Sequence, residues 1–80
     1  MTLKQRLTRW YYRHFCTIII YGRDDCKYCT LAKLLCEQRG LPHAYYTTVA
    51  LSPVPQIWIV PWYMENYYLG GYTELKGKVG

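Results

Sequence analysis

The sequence predicts an α/β domain built on a small mixed β-sheet, and three observations lead to it. An apolar run, "FCTIIIY" from Phe15 to Tyr21, is followed after a polar turn by a helical pattern from Lys27 to Arg39, and then by the β-branched and aromatic "HAYYTTV". Strand, helix and strand in that order make a parallel, right-handed crossover unit. Two more strand-like segments, "QIWIV" and "NYYLGG", are joined by "PWYME" and read as a hairpin.

Each element has its own local reason. In "TLKQRLTRWYYRH", Leu3, Leu7, Trp10 and His14 recur at helical spacing with cations between them, the pattern of an amphipathic helix. "FCTIIIY" is apolar on both faces, which places it centrally in the sheet. In the second helix Leu31, Leu34 and Leu35 are expected to face inward, and Gly40 supplies the stop. "YTELK" is short, with Thr73 as its candidate N-cap, and is expected to run about one turn before Gly77. The chain divides into a basic amphipathic helix over 1–14 and a domain over 15–80.

Eighty residues suffice for one domain with a modest core. Ten tyrosines, three tryptophans and one phenylalanine supply much of the area that can be buried. No stretch has the length of a membrane span, and no apolar signal core opens the chain, so a soluble cytoplasmic protein is expected. Of the net charge of +5, Lys4, Arg6, Arg9 and Arg13 contribute +4 within the first fourteen residues. The basic balance therefore belongs to the N-terminal segment.

Four cysteines in a reducing compartment are catalytic, metal-bound or buried rather than paired as structural disulfides. Cys26 and Cys29 lie three residues apart where the first strand gives way to a helix. At a helix start, unpaired backbone N–H groups and the positive end of the helix dipole favour thiolate over thiol, which makes Cys26 the nucleophile. Lys27 adds a cation that tunes the same balance, while Asp24 and Asp25 oppose it. Cys29, one turn further in and shielded by its own helix, is the resolving thiol. The alternative of half a zinc site needs a second close pair, which Cys16 and Cys36 do not form; no metal is expected, and both read as small buried hydrophobes.

Three motifs in order resemble the glutaredoxins, members of the thioredoxin fold. "YGRDDCKYC" is similar to the family's Tyr-Gly-Arg-x-x-Cys-Pro-Tyr-Cys, "PVPQIWI" to its Thr-Val-Pro-Gln segment, and "LGGYTEL" to its Gly-Gly-Tyr/Phe-Asp-x-Leu. The resemblance implies a cis bond between Val54 and Pro55, which would set the Val54 backbone beside the cysteines to pair with an extended peptide. It implies glutathione as that peptide and as co-substrate, its γ-glutamyl carboxylate at the N–H groups of Tyr72 and Thr73 after the Gly70–Gly71 pair. Arg23 matches the cation for the glycyl carboxylate, and Tyr28 would flank the mixed disulfide. The implied activity is glutathione-dependent thiol–disulfide exchange on protein disulfides or glutathione mixed disulfides, by a monomer.

The sequence also departs from the family. Only "ALSP" separates Val49 from Val54, where the family has a helix. Two strand spacings of about 4.8 Å must be crossed, and four residues reach about 13 Å, so the sheet order of second, first, third and fourth strand can still close. The lost helix would uncover one sheet face, and the N-terminal helix is expected to take over part of it, with Leu3, Leu7 and Trp10 toward the sheet. Thr73 stands where the family has aspartate, and Lys27 where it has proline. Alternative functions are a thioredoxin-like reductant for one client such as ribonucleotide reductase, a non-catalytic scaffold, and an iron–sulfur-binding module. The cation-rich N-terminus has a rival reading as a nucleic-acid or acidic-membrane patch.

Overall fold

The computed structural model describes residues 3–48 and 54–80. Helix α1 (Leu3–Phe15) runs without a turn into strand β1 (Cys16–Gly22); helix α2 (Lys27–Gln38), strands β2 (His43–Thr47), β3 (Gln56–Pro61) and β4 (Tyr67–Gly70), and helix α3 (Tyr72–Val79) follow. The sheet order is β2-β1-β3-β4. β1 pairs in parallel with β2, Ile20 opposite Tyr45, and antiparallel with β3, Ile18 opposite Ile59; β3 and β4 are antiparallel, with an irregularity between Ile57 and Trp58. This is the α/β class and the mixed four-stranded sheet expected from the pattern. The segment "ALSP", whose span was argued above, lies outside the described residues, as does Val49.

Alternation along the central strands decides which face is covered. Ile18, Ile20, Ile57 and Ile59 are fully buried and meet Tyr12 of α1, Ala32, Leu35 and Cys36 of α2, and Leu75 and Val79 of α3 in one core. All three helices thus contribute to the same core, on the same side of the sheet. The smallest dimension, 16 Å against 37 and 27 Å, has room for one helix layer on one sheet. On the other face, Ile19, Tyr21, Trp58 and Val60 are half-buried and Tyr46 and Tyr68 exposed, around two shallow depressions of about 340 and 460 Å³.

Three local expectations are corrected. Leu3, Leu7 and Trp10 do not face the sheet: they are 71, 57 and 52% exposed, and α1 packs through Tyr12 instead, supported by Tyr11 and Phe15. The reason is a better set of partners at the end of α3, where the Arg9 guanidinium donates to the carbonyls of Val79 and Gly80, both at 2.8 Å. A bare sheet face has no unpaired carbonyls to offer. Leu34 of α2 is likewise 43% exposed, because the inward stripe is Cys29, Ala32, Leu35 and Cys36. Helix α3 starts from Gly71 rather than Thr73 as N-cap and continues through Gly77 to Val79, whose burial against the core outweighs the cost of a helical glycine. Gly40, at φ 65°, ends α2 as expected.

Candidate active site

β1 ends at Gly22, and a turn closed by the Cys26 N–H donating to the Arg23 carbonyl (3.3 Å) delivers Cys26 to the N-cap of α2. Its extended backbone, φ −97° and ψ 116°, turns the side chain back over the first helical turn. The Cys29 N–H donates to Cys26 Sγ at 3.2 Å, so the sulfur occupies the place that a serine or aspartate oxygen takes in an ordinary cap. Cys26 is partly exposed and Cys29 fully buried, and both are free thiols. Burial, reinforced by the neighbouring Cys26 sulfur, pushes the Cys29 thiol up to about 11. Lys27 is exposed at the first position of α2.

The bond between Val54 and Pro55 is cis, and the Val54 carbonyl lies 3.9 Å from Cys26 Sγ. Beyond it opens a groove of about 360 Å³ lined by Tyr28, Val54, Pro55, Gly71, Tyr72 and Thr73, together with Tyr68 and Glu74. The Tyr28 and Tyr72 rings stand 5.8 Å apart across it. Six residues chosen from three separate motifs therefore share one groove. Arg23 does not line it; it borders a separate depression of about 440 Å³ with Asp24, Asp25, Thr47 and Thr48.

Cys16 and Cys36 are buried in the core, as their reading as small hydrophobes requires. Burial raises both thiols, Cys36 to about 12.

Two residues of the site escaped the sequence reading. The Tyr45 hydroxyl donates to the Arg23 carbonyl at 3.1 Å and packs beside Cys29, with the Lys33 ammonium 5.5 Å from its ring centre. Only the β1–β2 register, which no local pattern encodes, brings it there. The Glu74 carboxylate accepts the Gly71 N–H at 3.1 Å and so occupies the entrance of α3. Its signal was a glutamate three residues after a glycine that opens a helix.

A sheet of order β2-β1-β3-β4 with a cis-proline facing a helix-capping Cys-x-x-Cys turn defines a glutaredoxin-like thioredoxin fold. Among solved structures the chain is similar to glutaredoxin 1 from Francisella tularensis, determined in complex with cacodylate. The TM-score is 0.58 at 27% identity, covering 78% of this chain and 90% of that one. No family model and no curated protein matches the sequence.

Proposed function

We propose that this chain is a glutathione-dependent thiol–disulfide oxidoreductase of the glutaredoxin kind. The observation that carries the reading is the Cys26 sulfur seated as the N-cap of α2, next to the groove beside Pro55. A sulfur fixed there by a backbone N–H, partly exposed and 3.9 Å from the Val54 carbonyl, stands where an incoming disulfide can be attacked.

Cys26 thiolate attacks one sulfur of the substrate disulfide; a new sulfur–sulfur bond forms, the old one breaks, and the other half leaves as a thiolate that takes up a proton. A second thiolate then attacks the Cys26 sulfur and frees the reduced substrate. Supplied by glutathione, it leaves a Cys26–glutathione mixed disulfide, and a further glutathione thiolate attacks the glutathione sulfur of that bond, releasing glutathione disulfide and the Cys26 thiolate. Supplied by Cys29, it leaves a Cys26–Cys29 disulfide that two glutathiones reduce. Burial raises the Cys29 thiol from 9.0 to about 11 and so lowers its thiolate fraction further, which favours the glutathione route over internal closure.

The groove suits an extended γ-glutamyl peptide. Val54 can pair with its backbone, the adjoining Tyr28 and Tyr72 rings offer an aromatic wall for its cysteine, and the N–H groups of Tyr72 and Thr73 at the start of α3 suit its terminal carboxylate. Arg23 borders its own depression with Asp24 and Asp25 and is not part of this groove.

The test is glutathione-dependent reduction of a small mixed disulfide, coupled to glutathione reductase. Cys26→Ser should abolish turnover, whereas Cys29→Ser should retain it. Turnover by the Cys26 variant would end the proposal. Inactivity of the wild type with glutathione, together with a disulfide that thioredoxin reductase reduces, would point instead to a reductant dedicated to one protein client.

A further inference from the structure

At about 100° per residue, Leu3, Leu7, Trp10 and His14 fall within a sector of α1 roughly 60° wide, and that sector points directly away from Tyr12, the residue by which the helix docks. Arg6 and Arg13 border the sector on one side and Lys4 on the other, all exposed, and α1 carries no acidic residue. The stripe is left exposed, with Leu3 and Leu7 bordering an open groove of about 870 Å³ shared with Gly77 and Lys78 of α3.

The apolar stripe continues beyond the helix. The Trp10 ring meets Phe15 at 5.3 Å, Phe15 stacks on Trp62 at 6.1 Å, and Trp62, 72% exposed, stands beside the exposed Tyr63 and Met64 in the β3–β4 turn. That turn caps the end of the sheet remote from Cys26, since Pro61 pairs with Cys16 at the beginning of β1. Glu65 is the acidic residue of the turn, against three cations along the helix edge.

We infer that α1 and the Trp62–Met64 turn form a docking surface for an anionic lipid bilayer. An apolar stripe between rows of cations fits the boundary between acyl chains and negatively charged headgroups: leucine and methionine enter the apolar layer, tryptophan and tyrosine sit at headgroup depth, and lysine and arginine meet the phosphates. The aliphatic members separate this occupant from nucleic acid, because Leu3, Leu7 and Met64 have no π-face on which a base could stack. The complementarity is with a surface that is both apolar and negative. The charge-free open face of the sheet offers the first property without the second.

The test is co-sedimentation of the full chain with vesicles of phosphatidylcholine, alone or mixed with phosphatidylglycerol, over a range of salt. Binding is expected with the mixed vesicles only and should weaken as salt rises. Lys4→Gln and Arg6→Gln should each weaken it about fivefold. Leu7→Gln and Trp62→Gln should each weaken it about tenfold; the Lys4, Arg6 and Leu7 variants should keep the wild-type melting temperature, since their side chains are exposed, and the Trp62 variant should stay folded with a small drop from its lost stacking on Phe15. The inference is overturned by absence of binding to the mixed vesicles, or by binding that the Leu7 and Trp62 variants leave unchanged. Retention of a single-stranded oligonucleotide without vesicle binding would overturn it in favour of nucleic acid. None of these outcomes depends on glutathione or on the cysteines.

Discussion

Gly22 illustrates how closely the candidate site is packed. A Cβ there would lie 2.6 Å from the Tyr45 hydroxyl and 2.8 Å from both Cβ and Sγ of Cys29. The glycine that follows a tyrosine at the end of β1 is thus required by the approach of α2, not by its own backbone angles. Gly22→Ala should cost about 1–3 kcal/mol as overpacking, measured by urea denaturation, and should displace Cys29 enough to slow formation of the Cys26–Cys29 disulfide while leaving Cys26 accessible. Glu74 raises a different question, because its negative charge stands where an incoming carboxylate would bind. Glu74→Gln keeps an oxygen for the Gly71 N–H and removes the charge. If glutathione binds as proposed, its KM should fall by up to about fivefold at unchanged kcat; a rise in KM would place the carboxylate elsewhere.

Among elements, β1 divides the molecule most sharply, because its alternate residues meet opposite environments. Ile18 is fully enclosed beneath the helices, while Ile19, one residue on, lines the open face. Ile18→Ala should cost about 3 kcal/mol and Ile19→Ala about 1 kcal/mol, a difference read from two chemical denaturation curves; equal costs would mean that the second face is covered in solution. Helix α1 is anchored by few but well-placed contacts. Tyr12 fills the core, Arg9 reaches the end of α3, and the Arg13 guanidinium donates to the Arg39 carbonyl at 2.9 Å. The Arg39 guanidinium converges on the same Val79 and Gly80 carbonyls, so two cations complement the negative end of α3. Three helices are thereby fastened at one point, which explains why the basic N-terminal segment is part of the fold as well as of its surface.

For the molecule as a whole, the buried thiols set an alkaline limit to stability. Cys29 and Cys36 are raised from 9.0 to about 11 and about 12, chiefly by burial. The unfolded chain would release those protons near pH 9, whereas the folded chain holds them, so unfolding is favoured increasingly above that point. Stability should be at full strength below about pH 9 and fall as pH rises through 11 toward 12. Thermal melts across that range check the sign, and Cys36→Ala should flatten the upper part of the decline even though its cavity lowers stability at neutral pH. None of the described helices is long and apolar enough to cross a membrane.

Much of this was legible because it is local. The Cys-x-x-Cys turn at a strand–helix junction is a short pattern carried by the residues themselves, the apolar run over β1 and the β-branched and aromatic segments marked the strands, and the cis bond at Val54–Pro55 and the Gly70–Gly71 entrance to α3 came with the resemblance to the glutaredoxins. The order of elements, the parallel unit and the hairpin follow from those patterns. What they could not decide is what each face meets. The periodicity of α1 marks a stripe through Leu3, Leu7 and Trp10 but says nothing of its orientation, and the carbonyls at the end of α3 turned Tyr12 inward instead. In the same way, Tyr45 reaches Cys29 only through the β1–β2 register, and Gly77 stays helical because Val79 is buried two residues later. The sequence by itself determined where the elements and the two cysteines lie, since backbone propensity and spacing act within a few residues. Tertiary structure decided which side of the sheet is covered and which side of α1 is left to solvent, since those are choices between competing partners distant in the chain.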